Sequence, residues 1–299
     1  MRENDLIKRI HDMVTLSQGM RGLGDMRGIG DDCCEWTPGG RTCLSVDAVV
    51  EGVHFLATDD PHLIGRKAAG AALSDLAAAG ARPVGAVVAL CVPSHWNGLA
   101  VMEGLHAELQ RHGCPLLGGD TTGAAQLTIS VTVWGEGVGG HRLLNRSGAQ
   151  PGDLLVVTGP LGGSFPSGRH LRPEPRFAEG QWLAASPYVH ACMDLTDGLA
   201  SDAPKLAEAS GSSCLLLLGQ VPIHPDAEHL ADSTRAACCD GEDFELLAAV
   251  SAEQWMNLQL AWPFERRLSL VGWLTPEPDH SMEDAYGKRV PLTLRGYEH

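Results

Sequence analysis

The sequence predicts a mixed α/β (α+β) fold in two parts. Apolar runs of strand length alternate with segments of helical periodicity in both halves of the chain. A turn signal, Gln150-Pro151-Gly152-Asp153, interrupts that alternation near the middle, and a new apolar run restarts directly after it. The 299 residues suffice for two domains of ordinary size. The expected domains are therefore residues 1–149 and 150–299.

In the first half, Leu6, Ile7, Ile10, Met13 and Val14 share one face of a helix over 4–18. A Gly-rich stretch over 19–30 leads into Gly28-Ile29-Gly30-Asp31-Asp32-Cys33-Cys34. Thr42-Cys43-Leu44-Ser45-Val46 reads as a strand ending at Asp47. Residues 62–79 form a helix closed by Gly80 and Pro83. Val84 to Val92 is a continuous apolar strand, and 97–112 a further helix. Leu116-Leu117 runs into the turn Gly118-Gly119-Asp120-Thr121-Thr122. Leu127, Ile129, Val131 and Val133 alternate with polar neighbours, so 127–134 is a strand with one buried face. In the second half, strands are expected at Leu154 to Thr158, Leu215 to Leu218 and Phe244 to Val250. Helices are expected over 181–192, 199–209 and 252–260. Residues 162–176, rich in Gly, Pro and Arg, read as loop.

Composition narrows the function classes. Hydrophobic residues make up 44% and charged residues 20%, as in soluble globular proteins. A formal net charge of −15 disfavours nucleic acid and anionic membrane surfaces as partners. The start, Met1 to Ile10, has no apolar signal core, and no apolar run reaches membrane-spanning length. Nine cysteines occur without a C-x-x-C pair. Most lie in apolar runs, as buried reduced thiols do, so a reducing cytoplasm is the expected location.

Several aspartates do not read as surface residues. Ile64, Ala68, Ala71, Ala72, Leu76 and Ala79 make one apolar helical stripe, and Asp75 falls on it. An ionised carboxylate there requires a cation or hydrogen bonds, and capping of another element is the alternative. Asp47 follows a strand, Asp120 lies in a double-Gly turn, and Asp194 and Asp197 precede a helix. Separate carboxylates supplying hard oxygens suit Mg²⁺. No Walker loop is present. The candidate phosphate cradles are Gly28-Ile29-Gly30, Gly118-Gly119-Asp120 and Gly159-Pro160-Leu161-Gly162-Gly163. Lys67 and Arg146 are the candidate phosphate-binding cations, with solvated surface charges as the alternative.

The ordered set of motifs resembles the thiamine-monophosphate kinase family. It comprises Gly28 to Asp32; Ser45-Val46-Asp47 with Glu51-Gly52-Val53-His54-Phe55; and Leu73-Ser74-Asp75-Leu76. It continues with Gly118 to Thr122, Arg146 to Asp153, Asp194-Leu195-Thr196-Asp197-Gly198-Leu199 and Gly241-Glu242-Asp243-Phe244-Glu245-Leu246. The resemblance implies the two-domain fold of the aminoimidazole ribonucleotide synthetase superfamily, with an N-terminal domain that dimerises through a β-barrel-like interface. It implies a homodimer and transfer of the γ-phosphate of ATP directly onto thiamine monophosphate, assisted by several Mg²⁺ ions.

Carried over motif by motif, Asp32, Ser45, Val46 (through its backbone oxygen), Asp47, Asp75, Asp120, Asp194 and Asp197 are the implied metal ligands. Gly119, Asp120, Arg146 and Thr196 are the implied ATP contacts; His54, Glu242 and Tyr297 the implied substrate contacts. The direct transfer that the resemblance implies involves no phosphoenzyme, so no covalent nucleophile is expected, and an already ionised accepting phosphate requires no strong general base. Asp31 reads as a supporting residue, and Cys33 and Cys34 as filler in a departing strand. The sequence departs from the family in a shortened 162–176 loop, in Asp240 before Gly241, and in Pro204 within a helix. The superfamily's other members are disfavoured, since Asp47-Ala48-Val49-Val50-Glu51-Gly52 replaces the synthetase's Asp-Gly-Val-Gly-Thr-Lys and no cysteine precedes Cys33. A zinc or redox module on Cys33-Cys34 and Cys238-Cys239 is disfavoured because neighbouring side chains on a strand point to opposite faces.

Overall fold

Period-two alternation organises residues 42–50. Cys43, Ser45, Asp47 and Val49 turn to one face, while Leu44, Val46 and Ala48 turn to the other and are exposed. This strand, β1 (Thr42–Val50), runs three residues past the end expected at Asp47. The computed structural model describes residues 9–10, 12–13, 38–284 and 287–297. Residues 9, 10, 12 and 13 are helical; the remainder of the helix expected over 4–18, and the 28–34 motif with Asp31 and Asp32, lie outside the described residues. The chain divides into two units. The first is Met1–Leu76, Ala81–Gly140 and Leu171–Glu174; the second is Ala77–Gly80, His141–His170 and Pro175–His299.

The first unit holds α1 (Pro61–Ala78, except its last two residues), β2 (Ala81–Val92), α2 (Gly98–Arg111), β3 (Leu116–Gly123) and β4 (Thr128–Gly137). Its sheet has the order β1-β4-β2-β3, antiparallel except for the parallel pair β2–β3. Among the described residues it is open, with β1 and β3 at its edges, and no closed barrel forms. On one face Ala86, Val88, Leu90, Ile129, Val131 and Val133 are buried. Opposite it, Leu44 and Val46 are 65% and 58% exposed.

The two helices cross where glycine removes the side chain. A Cβ added to Gly65 would stand 1.9 Å from the Val101 carbonyl oxygen, and one added to Gly104 would stand 1.9 Å from that of His62. Glu108 of α2 is buried, yet meets Arg66 Nε at 3.1 Å, Arg111 at 2.6 Å and His112 Nε2 at 3.1 Å. Burial alone would raise its carboxyl, but His112, Arg111 and Arg66 hold it below the ordinary glutamate value. Glu174 bridges the same two arginines, at 2.6 Å from Arg66 and 2.8 Å from Arg111.

The second unit holds β5 (Leu154–Val157), α3 (Ser164–Ser167), α4 (Phe177–Ala185), β6 (Val189–Asp194), α5 (Leu199–Ala209), β7 (Ser213–Leu217), α6 (Pro225–Glu228) and α7 (Ser233–Cys239). It continues through β8 (Leu246–Val250), α8 (Trp255–Ala261), β9 (Ser269–Thr275), β10 (Ser281–Glu283) and β11 (Arg289–Pro291). Its sheet order is β11-β10-β7-β9-β5-β8-β6. Both faces are covered. Leu155, Val157, Ala191, Met193, Leu247 and Ala249 enter one core with α5, whereas Val156, Cys192, Leu246, Ala248 and Val250 enter a second with Leu183 and Ala184 of α4. Strands buried on both sides therefore read as continuous apolar runs.

Four expectations are corrected. The turn expected at Gly118 to Thr122 is strand: β3 runs from Leu116 to Gly123 and pairs with β2 along that stretch, so Asp120 lies within a strand. The helix expected over 181–192 is α4, ending at Ala185, followed by strand β6, because Val189 to Met193 splits between the two cores. The loop 162–176 contains α3 and a 3-10 turn, Arg169–Leu171. The strand expected from Phe244 starts at Leu246, because Phe244 is left-handed with φ 52°. Helix α5 runs through Pro204 to Ala209.

Candidate active site

In the first unit, Ser45 and Asp47 fall two residues apart on one face of β1, and Ser45 Oγ donates to Asp75 Oδ2 at 2.5 Å. Burial raises the neighbouring Cys43 thiol, and the Asp75 charge adds to the shift. Asp75 thus sits on the apolar side of α1 with a hydroxyl turned toward it. The row through the sheet is Asp47–Val131–Val88–Gly119, and the next row is Ala48–Ser130–Ala89–Asp120. Asp120 is exposed and its register places it on the sheet face opposite Asp47.

The turn after β1 is fixed from below. Lys67, 1% exposed, donates from Nζ to the His54 carbonyl at 2.6 Å, so it is a buried strut and not a solvated charge. The Val50 amide donates to His54 Nδ1 at 3.1 Å, which leaves Nε2 as the protonated nitrogen. Glu51 accepts from Trp96 Nε1 and the Leu127 amide, each at 3.1 Å.

In the second unit, five of the singled-out residues meet around one loop. Asp194, 2% exposed, ends β6. Past it, the Leu195 amide donates to Glu245 O and the Phe244 amide to Leu195 O. The Glu242 amide donates to Thr196 O at 2.7 Å, and the Tyr297 amide to Asp197 O at 2.9 Å. Gly296 lies so close that a Cβ would meet the Asp197 carbonyl oxygen at 1.7 Å. Asp194, Thr196, Asp197, Glu242 and Tyr297 are therefore assembled by backbone hydrogen bonds, which sequence spacing does not reveal. Glu242 and Phe244 have φ of 53° and 52°, a costly conformation for side-chain-bearing residues and one that concentrates at functional sites. Arg146 is exposed, in a segment tied to β6 by the Cys192 amide donating to Asn145 O at 2.9 Å.

Asp202 was not singled out from sequence. Its buried Oδ2 accepts the Thr196 and Asp197 amides, both at 2.9 Å, and Oδ1 meets Lys205 at 2.8 Å. Burial holds this carboxyl above its ordinary value, although Lys205 pulls it down. Lys205 also pairs with Asp197, so a cation at Asp197 must compete with an ammonium group. A D-x-x-x-x-D spacing at a helix start was the available signal, since an acid in a first helical turn caps the amides before it. Replacing Asp202 with Ala strands two amides and removes one of the two carboxylate partners of Lys205, and should destabilise the protein by about 3 kcal/mol. Urea unfolding checks this; a loss below about 1 kcal/mol would mean the loop is held elsewhere.

The cradle expected at Gly159 to Gly163 is occupied by the protein's own carboxylates. The Gly162 amide donates to Asp243 at 3.0 Å, and the Gly163 amide to Asp240 at 2.9 Å. Arg169 closes the arrangement on Asp243 at 2.9 Å. Burial pushes the Asp243 carboxyl up to about 7 against the pull of Arg169. The seven described cysteines are free thiols. Burial pushes Cys114, Cys214 and Cys238 up to about 12, which keeps them protonated and inert. Among the described residues no three His, Cys, Asp or Glu side chains are grouped as metal ligands, and no helix is long and apolar enough to cross a membrane.

Residues 30–136 match the AIR synthase related protein, N-terminal domain. A thiamine-monophosphate kinase of Bacillus subtilis is 37% identical over 262 residues, which is 78% of this chain and 80% of the relative. The chain belongs to the thiamine-monophosphate kinase family. It is accordingly an enzyme, an ATP-binding kinase of thiamine biosynthesis. A crystal structure of the thiamine-monophosphate kinase from Stenotrophomonas maltophilia is similar with a TM-score of 0.77 and 31% identity, covering 91% of this chain and 93% of that one. The AaThiL structure complexed with AMPPCP and TMP has a TM-score of 0.74 and 25% identity, covering 99% of each chain. In this chain the loop bearing Asp194, Thr196 and Asp197 belongs to the second unit, and the strand–helix pair bearing Ser45, Asp47 and Asp75 to the first.

Proposed function

We propose that this protein transfers the γ-phosphate of ATP directly to thiamine monophosphate, giving ADP and thiamine diphosphate. The observation that carries this reading is the full motif order on a chain 37% identical to a thiamine-monophosphate kinase. The gathering of Asp194, Thr196, Asp197, Glu242 and Tyr297 around one loop supports it. Phosphoryl transfer between two anions needs positioning and charge screening, and no covalent nucleophile.

In this reading, Gly119, Asp120, Arg146 and Thr196 contact ATP, with Arg146 countering phosphate charge. His54, through its protonated Nε2, Glu242 and Tyr297 orient the thiamine monophosphate. The oxygen set of Ser45, Asp47 and Asp75 fits a hard cation by donor type. Mg²⁺ would be held at more than one position: by these residues with the backbone oxygen of Val46, Asp32, Asp194 and Asp197, and, on the opposite face of the sheet, by Asp120. When bound it supplies screening of the repulsion between donor and acceptor phosphates. The protein acts in the cytoplasm, without nucleic acid or membrane as a partner. Residues 1–149 bind metal and nucleotide and dimerise, and residues 150–299 form the second domain. The exposed Leu44 and Val46 on the open sheet face suit a homodimer in which two such sheets close together.

An ADP-release assay with magnesium tests the reading across thiamine monophosphate, thiamine and purine-pathway ribonucleotides. Release is expected with thiamine monophosphate alone. A folded protein that releases ADP only with another acceptor is a different member of the superfamily.

A further inference from the structure

A cavity of about 730 Å³ lies within the first unit, at the carboxyl ends of the parallel strands β2 and β3 and the start of α2. Its size is that of a small-molecule pocket. It is lined by Val92, Pro93, Trp96, Leu99, Thr121 and Thr122, among others. Apolar Val92, Pro93 and Leu99 thus line one space together with the hydroxyl-bearing Ser94, Thr121 and Thr122.

Trp96 is held firmly in this wall. Its amide donates to the Pro93 carbonyl at 3.0 Å. Its indole Nε1–H donates to Glu51 Oε2 at 3.1 Å, and its ring meets Phe55 edge-on with centroids 6.1 Å apart. Glu51 and Phe55 belong to the turn that carries His54 and are themselves bridged, Glu51 to Phe55. Through Trp96 the pocket therefore adjoins the turn that carries His54. A carboxylate accepting the indole N–H adds electron density to the ring, which strengthens its attraction for a cation.

We propose that Trp96 is a specificity-determining residue whose indole packs against the cationic heteroaromatic part of the phosphate-bearing substrate in this pocket. The proposal rests on thiamine monophosphate being the substrate, since its thiazolium ring carries a permanent positive charge. Glu51 acts through Trp96 by fixing the indole, and is a positioning residue.

The test is steady-state kinetics on the full-length protein with magnesium, varying ATP and thiamine monophosphate separately. Trp96→Leu should raise the KM for thiamine monophosphate about tenfold and Trp96→Phe about threefold. The KM for ATP and kcat should stay within about twofold. An unchanged KM for thiamine monophosphate in a folded Trp96→Leu variant overturns the proposal, as does a parallel rise in the KM for ATP. Wild-type protein without thiamine monophosphate-dependent turnover would instead remove the substrate assignment itself. Should Trp96→Leu fail to fold, wild-type inhibition constants decide the matter. An isostere with a neutral thiophene ring in place of the thiazolium should bind about tenfold more weakly than its charged counterpart, and equal binding overturns the proposal.

Discussion

Asp75→Asn should lower kcat at least about a hundredfold while leaving the unfolding free energy within about 0.5 kcal/mol of wild type. The argument starts from the helix. Asp75 occupies a position where α1 is otherwise buried, yet its carboxylate accepts a hydrogen bond from Ser45 Oγ at 2.5 Å. Asparagine retains an oxygen able to accept that bond, so little packing or hydrogen bonding is lost. What disappears is the negative charge, which a phosphoryl-transfer site uses to hold the screening cations. A structural cap would show the opposite pattern, with stability falling and turnover preserved. The decisive measurement is kcat at saturating magnesium beside a urea denaturation curve. Turnover close to wild type would remove Asp75 from the cation-binding set.

Gly65→Ala is expected to have the largest effect on stability, about 3 kcal/mol. The added Cβ would stand 1.9 Å from the Val101 carbonyl oxygen and 2.7 Å from the Leu105 amide nitrogen. Both are backbone atoms inside α2, so no side chain can rotate away, and α1 must lift or shift. Gly104→Ala makes the reciprocal collision with the His62 carbonyl oxygen at 1.9 Å. Once the helices have separated for one methyl group, the second finds the gap already opened. The double variant should therefore be less destabilised than the sum of the singles by more than about 1 kcal/mol. Additive losses would mean that the two contacts yield independently. Activity should fall as well, because α1 carries Asp75 ten residues beyond Gly65, about 15 Å along the helix axis.

Much of the fold was legible because burial leaves periodic traces. The stripe Ile64, Ala68, Ala71, Ala72 and Leu76 located α1 within one residue at each end. The alternation from Leu127 to Val133 located β4. Misreading began where periodicity was ambiguous. Val189 to Met193 is apolar at nearly every position, and only a strand splitting those residues between two cores explains the run. Strands β10 and β11 and helices α6 and α7 went unread because each is short and draws its stability from neighbours distant in sequence; the seven-residue β9 was missed as well.

For the candidate site, sequence supplied the residue types and their order. Asp75 was singled out because a charge on an apolar stripe violates a local rule. Position before a helix likewise singled out Asp194 and Asp197, and the family resemblance singled out Glu242. What residue order could not supply is the set of partners. Only the fold revealed that Lys67 is buried beneath the His54 turn, that the Gly162 and Gly163 amides are spent on Asp243 and Asp240, and that Asp202 carries the loop beside Asp194. The sheet register added that Asp120 and Asp47 lie on opposite faces of one sheet. Side-chain chemistry and periodicity are local properties and survive in a one-dimensional string. Hydrogen-bond partners and strand register depend on which distant segments the chain brings together, and those are fixed only when the backbone has closed around its cores.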